Sequence, residues 1–266
     1  MKIRPFLFLA AFVGVFCAVP AGATDKTGGL APGKRPDTAL YGSVLQKYVK
    51  DDGRVDYARL KSDIAPLAEF VLQLSAVSPD SHPGLFPTRD SQLAYWINAY
   101  NALVLYNFAR EYPEKRDRLN TIPGKFSFFY RIKNKVGGKD RTLDDIEVNS
   151  IRKAFREPRV HFALVCASAS CPWLSRTAYE PEQLNARLEE EAQRYFQQAR
   201  NFRMDERRHE VTLPRILEWF KEDFGTTPEN VLGFVAKYRP AEAEKFLHGG
   251  WRINYFDYDW SPNDPR

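Results

Sequence analysis

The segment from Asp90 to Arg110 constrains the fold most, because it predicts a long helix with apolar residues on nearly every turn. These crowded positions are Leu93, Trp96, Ile97, Tyr100, Leu103 and Val104. A helix this apolar is typical of one that other elements cover on most sides. Asp90 or Ser91 is expected to cap its start. The chain therefore predicts a fold organised around one buried helix.

The remaining pattern indicates an α+β fold in which helices outnumber strands. Helical periodicity predicts helices over 39–50, 57–75, 143–155, 181–200, 214–224, 228–238 and 240–248. Alternation predicts a hairpin of 125–136 and 141–143 that turns at Gly137-Gly138, a strand over 159–166 and a final strand over 252–258. No linker interrupts the chain between these elements. We therefore expect a single compact helix-rich domain over 39–262 with a small central sheet.

Composition excludes a disordered chain and gives no sign of a nucleic-acid partner. The 266 residues are 44% apolar and 27% charged, which is ordinary for a globular protein. The net charge of +5 falls to +3 without the two basic residues near the N-terminus, and Lys and Arg are distributed among the acids. So small an excess does not predict binding to nucleic acid.

Residues 1–23 have the features of a cleaved export signal. Lys2 and Arg4 precede an uncharged run over 6–19, and Ala21-Gly22-Ala23 supplies a small-residue cleavage site. The run of 14 uncharged residues is short for a membrane span, so we expect no transmembrane segment in the mature chain. The protein is expected to be periplasmic or secreted, after cleavage near Ala23.

Two further expectations concern this end of the chain. Cys17 lies inside the predicted signal, but the bulky Phe16 before it does not fit a lipid-attachment site, so a lipoprotein is not expected. Residues 24–38 are rich in Gly, Pro and polar residues, and they predict a flexible N-terminal arm.

Asn98 and Asn101 are the first candidate functional residues. They are three positions apart and therefore share one face of the predicted buried helix. Burying an unpaired amide costs about 1–3 kcal/mol, so both need partners. They either bind neighbouring backbone and hold a loop in place, or form polar walls of a ligand site. Their spacing does not separate these alternatives.

The second candidate region runs from His161 to Pro172 and contains Cys166, Ser168, Ser170 and Cys171. A regular strand would place His161 and Cys166 on opposite faces, because side chains alternate along a strand. Cys171, in the following loop, is then the better nucleophile to pair with the histidine. A bulge before Cys166 would reverse that preference.

The two cysteines also have a structural interpretation. Residues five positions apart can form a disulfide, which export to an oxidising compartment favours, and such a bond would mainly shape the loop. The four histidines show no metal-ligand spacing, and no phosphate-binding or dinucleotide-binding motif is present. We therefore expect no metal and no cofactor.

Several segments together resemble one family, the domain of unknown function numbered 547. The resemblance extends from Tyr41 to Trp260, and its marks are Gly53-Arg54-Val55-Asp56-Tyr57, Trp96-Ile97-Asn98-Ala99-Tyr100-Asn101, Thr142-Leu143-Asp144-Asp145-Ile146-Glu147, Pro158-Arg159-Val160-His161-Phe162-Ala163-Leu164-Val165-Cys166, Ser170-Cys171-Pro172, Trp219-Phe220, Asp223-Phe224 and Tyr258-Asp259-Trp260. Many matches in one order are far more specific than any single motif.

The resemblance implies a recurring cluster but no agreed activity. Its members here are Asn98, Asn101, Glu147, His161, Cys166, Ser168, Cys171 and Pro172. Family members often carry histidine where this chain has Val148, and Leu-Asn where it has Ser261-Pro262. If that histidine were catalytic, this chain would be inactive. Plant members are intracellular, where a purely structural disulfide would not persist, so the resemblance also suggests a thiol role.

Two hypotheses for function follow. The first is a thiol-dependent hydrolase or acyl-transfer enzyme acting on an amide or ester in the cell envelope. In it a cysteine attacks a carbonyl, His161 shuttles the proton, and Asn98, Asn101 or loop N–H groups orient the histidine or bind the oxyanion. A polar helix beside a histidine-bearing strand is compatible, by analogy, with a papain- or transglutaminase-like arrangement.

The second hypothesis is a non-catalytic periplasmic binding domain with a structural Cys166–Cys171 disulfide. Its partner would be a small molecule, a peptide or another envelope component. A third, redox use of the cysteine pair is less favoured, because the spacing is not Cys-x-x-Cys.

Overall fold

A computed structural model describes residues 33–265. The predicted export signal, Cys17 and residues 24–32 of the predicted arm lie outside the described residues. Residues 33–37 precede the first helix. Asp37 caps the N-terminus of that helix, because its side chain accepts hydrogen bonds from the Ala39 and Leu40 backbone N–H groups. Pro36 in this stretch is buried. Within 33–265, no helix is both long enough and apolar enough to cross a membrane.

Helices make up most of the described structure. The α-helices are Thr38–Tyr48 (α1), Tyr57–Ser62 (α2), Ala65–Ala76 (α3), Arg89–Arg110 (α4), Ile122–Phe126 (α5), Leu143–Asp145 (α6), Lys153–Phe155 (α7), Leu184–Gln197 (α8), Arg215–Trp219 (α9), Lys221–Phe224 (α10), Pro228–Ala236 (α11) and Pro240–Leu247 (α12). Two π-helical segments, Ser127–Arg131 and Ile146–Arg152, continue α5 and α6. Short 3₁₀ turns occupy Pro83–Leu85, Arg116–Asn120, Pro158–Phe162 and Pro181–Gln183.

Helix α4 is the buried helix that the sequence predicts. Of its 22 residues, 17 are buried. Its cap, however, is Thr88, whose hydroxyl accepts from the Ser91 N–H at 3.0 Å. The Thr88 N–H in turn donates to the Ser91 hydroxyl at 3.1 Å, which completes a capping box. The prediction of Asp90 or Ser91 as the cap is therefore wrong, because Ser91 is the reciprocal partner.

Two predicted elements are interrupted or shortened. The predicted helix over 57–75 is two helices, α2 and α3, because Pro66 lacks an N–H and fits only in the first turn of a new helix, which begins at Ala65. The predicted hairpin does turn at Gly137-Gly138, where both residues have positive φ. Its strands are only Asn134–Val136 (β1) and Lys139–Arg141 (β2), while the preceding residues are helical. Thr121 caps that helical segment by accepting from the Gly124 N–H.

The predicted strand over 159–166 is wrong. Residues Pro158–Phe162 form a 3₁₀ turn. The Glu157 side chain caps the start of this turn by accepting a hydrogen bond from the Arg159 N–H. Val160 is buried in one hydrophobic core and Phe162 in another, so residues two apart do not share a sheet face. A short apolar run that is buried all round does not distinguish a strand from a turn. None of the strands in the described residues includes residues 159–166, so this segment is not part of a sheet.

The described strands lie in two small sheets. One is the β1–β2 hairpin, and the other consists of Arg203–Asp205 (β3), Glu210–Leu213 (β4) and Arg252–Tyr255 (β5). Strand β3 pairs antiparallel with β4, and β4 pairs parallel with β5 with Val211 opposite Ile253. The final strand was predicted, whereas β3 and β4 were not.

Two hydrophobic cores hold the elements together. The first surrounds α4, and the second surrounds Phe162 with residues of α8, α11 and the three-stranded sheet. The 158–162 turn joins the two cores, because Val160 belongs to the first and Phe162 to the second. The compact α+β class expected from sequence is confirmed, and His161 lies at the junction between the cores.

Candidate functional site

A cleft of about 510 Å³ lies at the junction of the two cores. It is lined by residues from both sides, which include Tyr100, Phe129, Tyr130, Asp144, Glu147, Val148, Arg152, His161, Cys166, Cys171, Trp219, Phe220, Tyr258 and Trp260. Its volume is within the range of small-molecule sites, and aromatic walls with a few converging polar groups are typical of such sites. Both cysteines, His161 and Glu147 therefore share one cavity, although Glu147 lies on a different predicted element from the other three.

His161 is paired with an aspartate. The His161 ring is 4% exposed, and its Nε2 lies 2.7 Å from Oδ2 of Asp223 in α10. Because an ionised carboxylate only accepts hydrogen bonds, Nε2 carries the proton and Nδ1 is left to take or give one. Phe220 stacks on the ring with centroids 4.3 Å apart, and Phe224 is 5.1 Å away. These contacts fix the orientation of the imidazole.

Asp223 is held in its charged form. Arg152 donates from Nε to the same carboxylate oxygen at 2.6 Å. Partial burial alone would raise the pKa of Asp223, but the hydrogen bonds and positive charges of His161 and Arg152 outweigh it. Together they lower the pKa of this carboxyl to about 2. Asp223 was part of the family resemblance, but its pairing with His161 was not predicted.

Cys166 and Cys171 form a disulfide, as the structural interpretation of the pair predicts, with their Cα atoms 6.2 Å apart. Cys166 is partly exposed, whereas Cys171 is buried. The Tyr258 hydroxyl lies 3.2 Å from Sγ of Cys166 and 3.3 Å from Sγ of Cys171. Burial raises the pKa of Tyr258, so this hydroxyl stays protonated and can donate to sulfur. Cys166 is therefore the more exposed residue of the pair, and both cysteines line the cleft.

The 158–162 turn places Cys166 and Cys171 in the same cleft as His161. The preference for Cys171 rested on His161 and Cys166 lying on opposite faces of a regular strand. Because the segment turns at 158–162 instead, that reason no longer applies, and both cysteines line the cleft with His161.

Ser168 and Ser170 hold the C-terminal segment against the cysteine loop. Ser168 is 1% exposed, and its hydroxyl donates to the Tyr258 oxygen at 3.1 Å. The Ser170 hydroxyl accepts from the Asp259 N–H at 2.8 Å. Neither serine lines the cleft. Their contacts instead position the Tyr258 hydroxyl over the disulfide.

Glu147 provides a second ionisable group in the cleft. It lies in the π-helical segment, is half-buried, and accepts a hydrogen bond from the Tyr100 hydroxyl at 3.0 Å. Burial raises the pKa of Glu147, and the nearby positive charges of His161 and Arg152 only partly oppose this. Val148, where relatives often have histidine, lines the same cleft. The substitution therefore leaves an apolar side chain beside the ionisable groups.

Asn98 and Asn101 bind backbone rather than line the cleft. The Asn101 amide donates to the Ala163 carbonyl at 2.9 Å and accepts from the Val165 N–H at 3.0 Å. Asn98 pairs in the same two-way manner with the N–H and carbonyl of Tyr179, at 2.9 and 2.8 Å. Each amide thus fixes one end of the cysteine-bearing stretch to α4.

The described residues contain no candidate metal site. Among residues 33–265, no group of three or more His, Cys, Asp or Glu side chains is placed to hold a metal ion.

The fold and the cleft define an α+β domain with a paired histidine, a half-buried glutamate and a disulfide in one aromatic-walled cavity. A family model described as "Protein of unknown function, DUF547" matches residues 86–196, so this large part of the chain is similar to that family. The match spans α4, Glu147, His161 and both cysteines, and it ends before Asp223 and Tyr258. Comparisons with curated proteins and with solved structures gave no match.

Proposed function

We propose that this chain is a thiol-dependent hydrolase or acyl-transfer enzyme whose nucleophile is Cys166 in the reduced protein. The observation that carries the proposal is that the His161–Asp223 pair and the partly exposed Cys166 line the same cleft. A base oriented by a carboxylate, in a cavity with a reachable sulfur, is the arrangement that nucleophilic catalysis requires.

The reaction begins with a free thiol. A dithiol reductant converts the Cys166–Cys171 disulfide to two thiols and is itself oxidised to a disulfide. Nδ1 of His161 then takes the Cys166 proton, and the thiolate sulfur forms a bond to the substrate carbonyl carbon. The C–N or C–O bond breaks as the leaving amine or alcohol receives that proton from His161. Water, deprotonated by His161, hydrolyses the resulting thioester and frees Cys166.

Other residues of the cleft take supporting roles in this proposal. Burial raises the pKa of Glu147, so its carboxyl holds a proton to higher pH than an exposed glutamate does, and in that form it can donate to the substrate carbonyl oxygen. The Tyr258 hydroxyl, which contacts both sulfurs, stabilises the thiolate. Asn98 and Asn101 are positioning residues, because their amides are fully used in holding the backbone at 163–165 and 179.

One observation favours a second function, thiol–disulfide exchange. The disulfide lines the cleft, and Cys166 is the more exposed of its two residues, an asymmetry that suits attack on Cys166. A substrate thiolate would form a mixed disulfide with Cys166 and release Cys171 as a thiolate. A second substrate thiol would then release Cys166, which leaves the substrate oxidised and the cysteine pair reduced.

Single cysteine variants separate these functions. The two assays are hydrolysis of p-nitrophenyl esters and aminocoumarin-peptide amides, and oxidation of a dithiol peptide. If the chain is a hydrolase, Cys171→Ser hydrolyses substrate without added reductant and Cys166→Ser does not. If it is an oxidoreductase, Cys171→Ser no longer oxidises the dithiol peptide, and its free Cys166 instead forms a mixed disulfide when the disulfide form of that peptide is supplied, which releases one peptide thiol. Thr177→Ala, which alters an exposed position of the same loop without touching either sulfur, is the matched control.

A third outcome overturns both thiol functions. Cys166 in the Cys171→Ser variant would then react with iodoacetamide no faster than cysteine in an unfolded peptide and would turn over neither type of substrate. That result favours the alternative, a non-catalytic binding domain with a structural disulfide.

We also propose that the protein acts in the periplasm or outside the cell, on the strength of the signal-like residues 1–23. An oxidising compartment would maintain the Cys166–Cys171 bond until a reductant reaches the cleft. Mass spectrometry of the protein from fractionated cells tests this proposal. A mature N-terminus at Thr24 in the periplasm or medium supports it, and an intact Met1 chain in the cytoplasm refutes it.

A further inference from the structure

Exposed apolar side chains concentrate on one helical segment beside the cleft. Ile122, Phe126 and Tyr130 are 79, 47 and 52% exposed, and they are spaced four residues apart. The rings of Phe126 and Tyr130 stack with centroids 5.3 Å apart, so these two share a face. Trp219, 45% exposed, lies on the wall of the cleft that Tyr130 also lines. We call Ile122, Phe126 and Tyr130 the aromatic face.

The same stretch departs from the even charge distribution of the chain. Residues 118–139 contain six basic residues and no acid. Of these, Arg131, Lys133, Lys135 and Lys139 are exposed, and Lys135 is paired with Asp140 at 3.2 Å. Arg131 lies over the Phe126 ring at 5.2 Å, and Lys133 and Lys139 have no carboxylate within ion-pair distance among residues 33–265. The aromatic face thus has Arg131 against it, and Lys133 follows two residues along the chain, without an ion-pair partner among the described residues.

We propose that the aromatic face docks on the surface of an anionic lipid bilayer. Such a surface offers both chemistries at once, because apolar side chains enter the acyl boundary while Lys and Arg remain among the phosphates. Phe and Tyr at the interface beside Lys and Arg are typical of segments that lie in the plane of a membrane. Nucleic acid would satisfy the positive charge but has no apolar interior for Ile122. The observations therefore favour lipid.

Vesicle flotation tests the proposal on the full chain. Vesicles of phosphatidylcholine with and without phosphatidylglycerol are compared at low and high salt. We expect binding to the anionic vesicles that weakens as salt rises. Arg131→Gln and Lys133→Gln are each expected to lower the partition coefficient about fivefold. The double variant Ile122→Ser with Phe126→Ser is expected to lower it about tenfold or more.

Two control variants match these changes elsewhere. Leu247→Ser removes another highly exposed apolar side chain, since Leu247 is 84% exposed, and Lys50→Gln removes an exposed charge outside the basic stretch. Both are expected to bind vesicles as the unchanged protein does. Far-UV circular dichroism checks that every variant is folded.

Hydrogen–deuterium exchange locates the contact. Amides of residues 122–131 are expected to gain protection when anionic vesicles are added, and binding through any other part of the chain does not produce that signal. The proposal is overturned by absence of binding to anionic vesicles at low salt, or by equal binding of the Ile122→Ser, Phe126→Ser variant. Protection of 122–131 by RNA or an acidic peptide but not by vesicles also overturns it.

Discussion

Asp223→Asn gives the sharpest test of the His161 pair, because it removes one charge and little volume. Asp223 accepts hydrogen bonds from both His161 and Arg152, and its pKa is lowered from 3.8 to about 2. That difference corresponds to about 2.4 kcal/mol in favour of the folded state when the group is charged. A quarter of the side chain is exposed, so solvent screening reduces the expected effect to about 1–2 kcal/mol.

The sign of the pH dependence follows from the lowered pKa. Stability contributed by Asp223 is complete above its ordinary pKa of 3.8 and is lost as the pH falls through about 2. The Asp223→Asn variant should therefore unfold more easily than the unchanged protein near neutral pH, and the difference should shrink in acid. Urea denaturation followed by tryptophan fluorescence, at several pH values between neutrality and the acid limit of folding, measures this.

Asp144→Asn is the matched control for Asp223→Asn. Asp144 lines the same cleft, but burial raises the pKa of Asp144. The Asp144→Asn change should leave the free energy of unfolding at neutral pH unchanged or increase it, whereas Asp223→Asn should decrease it. Two results would refute the reasoning: equal stability of Asp223→Asn and the unchanged protein at neutral pH, or a difference that persists undiminished in acid.

Three further substitutions have expected effects on the free energy of unfolding, measured by urea denaturation. Asn101→Ala should cost about 2–5 kcal/mol, because it leaves the buried Ala163 carbonyl and Val165 N–H without partners; a loss below that range contradicts the backbone role. Glu147→Gln should stabilise the protein near neutral pH and have no effect below pH 4.5, because burial raises the pKa of this carboxyl. Thr88→Ala should cost about 1 kcal/mol by removing the cap of α4, and no change would exclude the capping box.

Helical periodicity over long segments predicted most of the helices. A stretch as apolar as α4 allows few environments other than the centre of a core, and 17 of its 22 residues are indeed buried. The turn at Gly137-Gly138 was also predictable, because two successive positive φ angles favour glycine. In both cases the local sequence determines the conformation.

The site was harder to predict, because its geometry depends on tertiary contacts. The segment around His161 has the composition of a buried strand, but Asn101 on α4 and two separate cores hold it as a turn. Asp223 lies 62 positions from His161, and no local spacing indicates that they meet. The residue types of the cleft could be listed from sequence, whereas their pairing required the fold.

The two amides of α4 have a consequence for how the cysteine loop can vary. Asn98 and Asn101 are one helical turn apart, about 4.5 Å along the axis, and they anchor the chain at 163–165 and again at 179. The segment between these anchors therefore starts and ends at the same face of α4. Ala167 and Leu174, between the anchors, are part of the first core, so they are constrained as well. The exposed residues of the loop can therefore change in sequence, and the cysteine pair in redox state, while both ends stay in place.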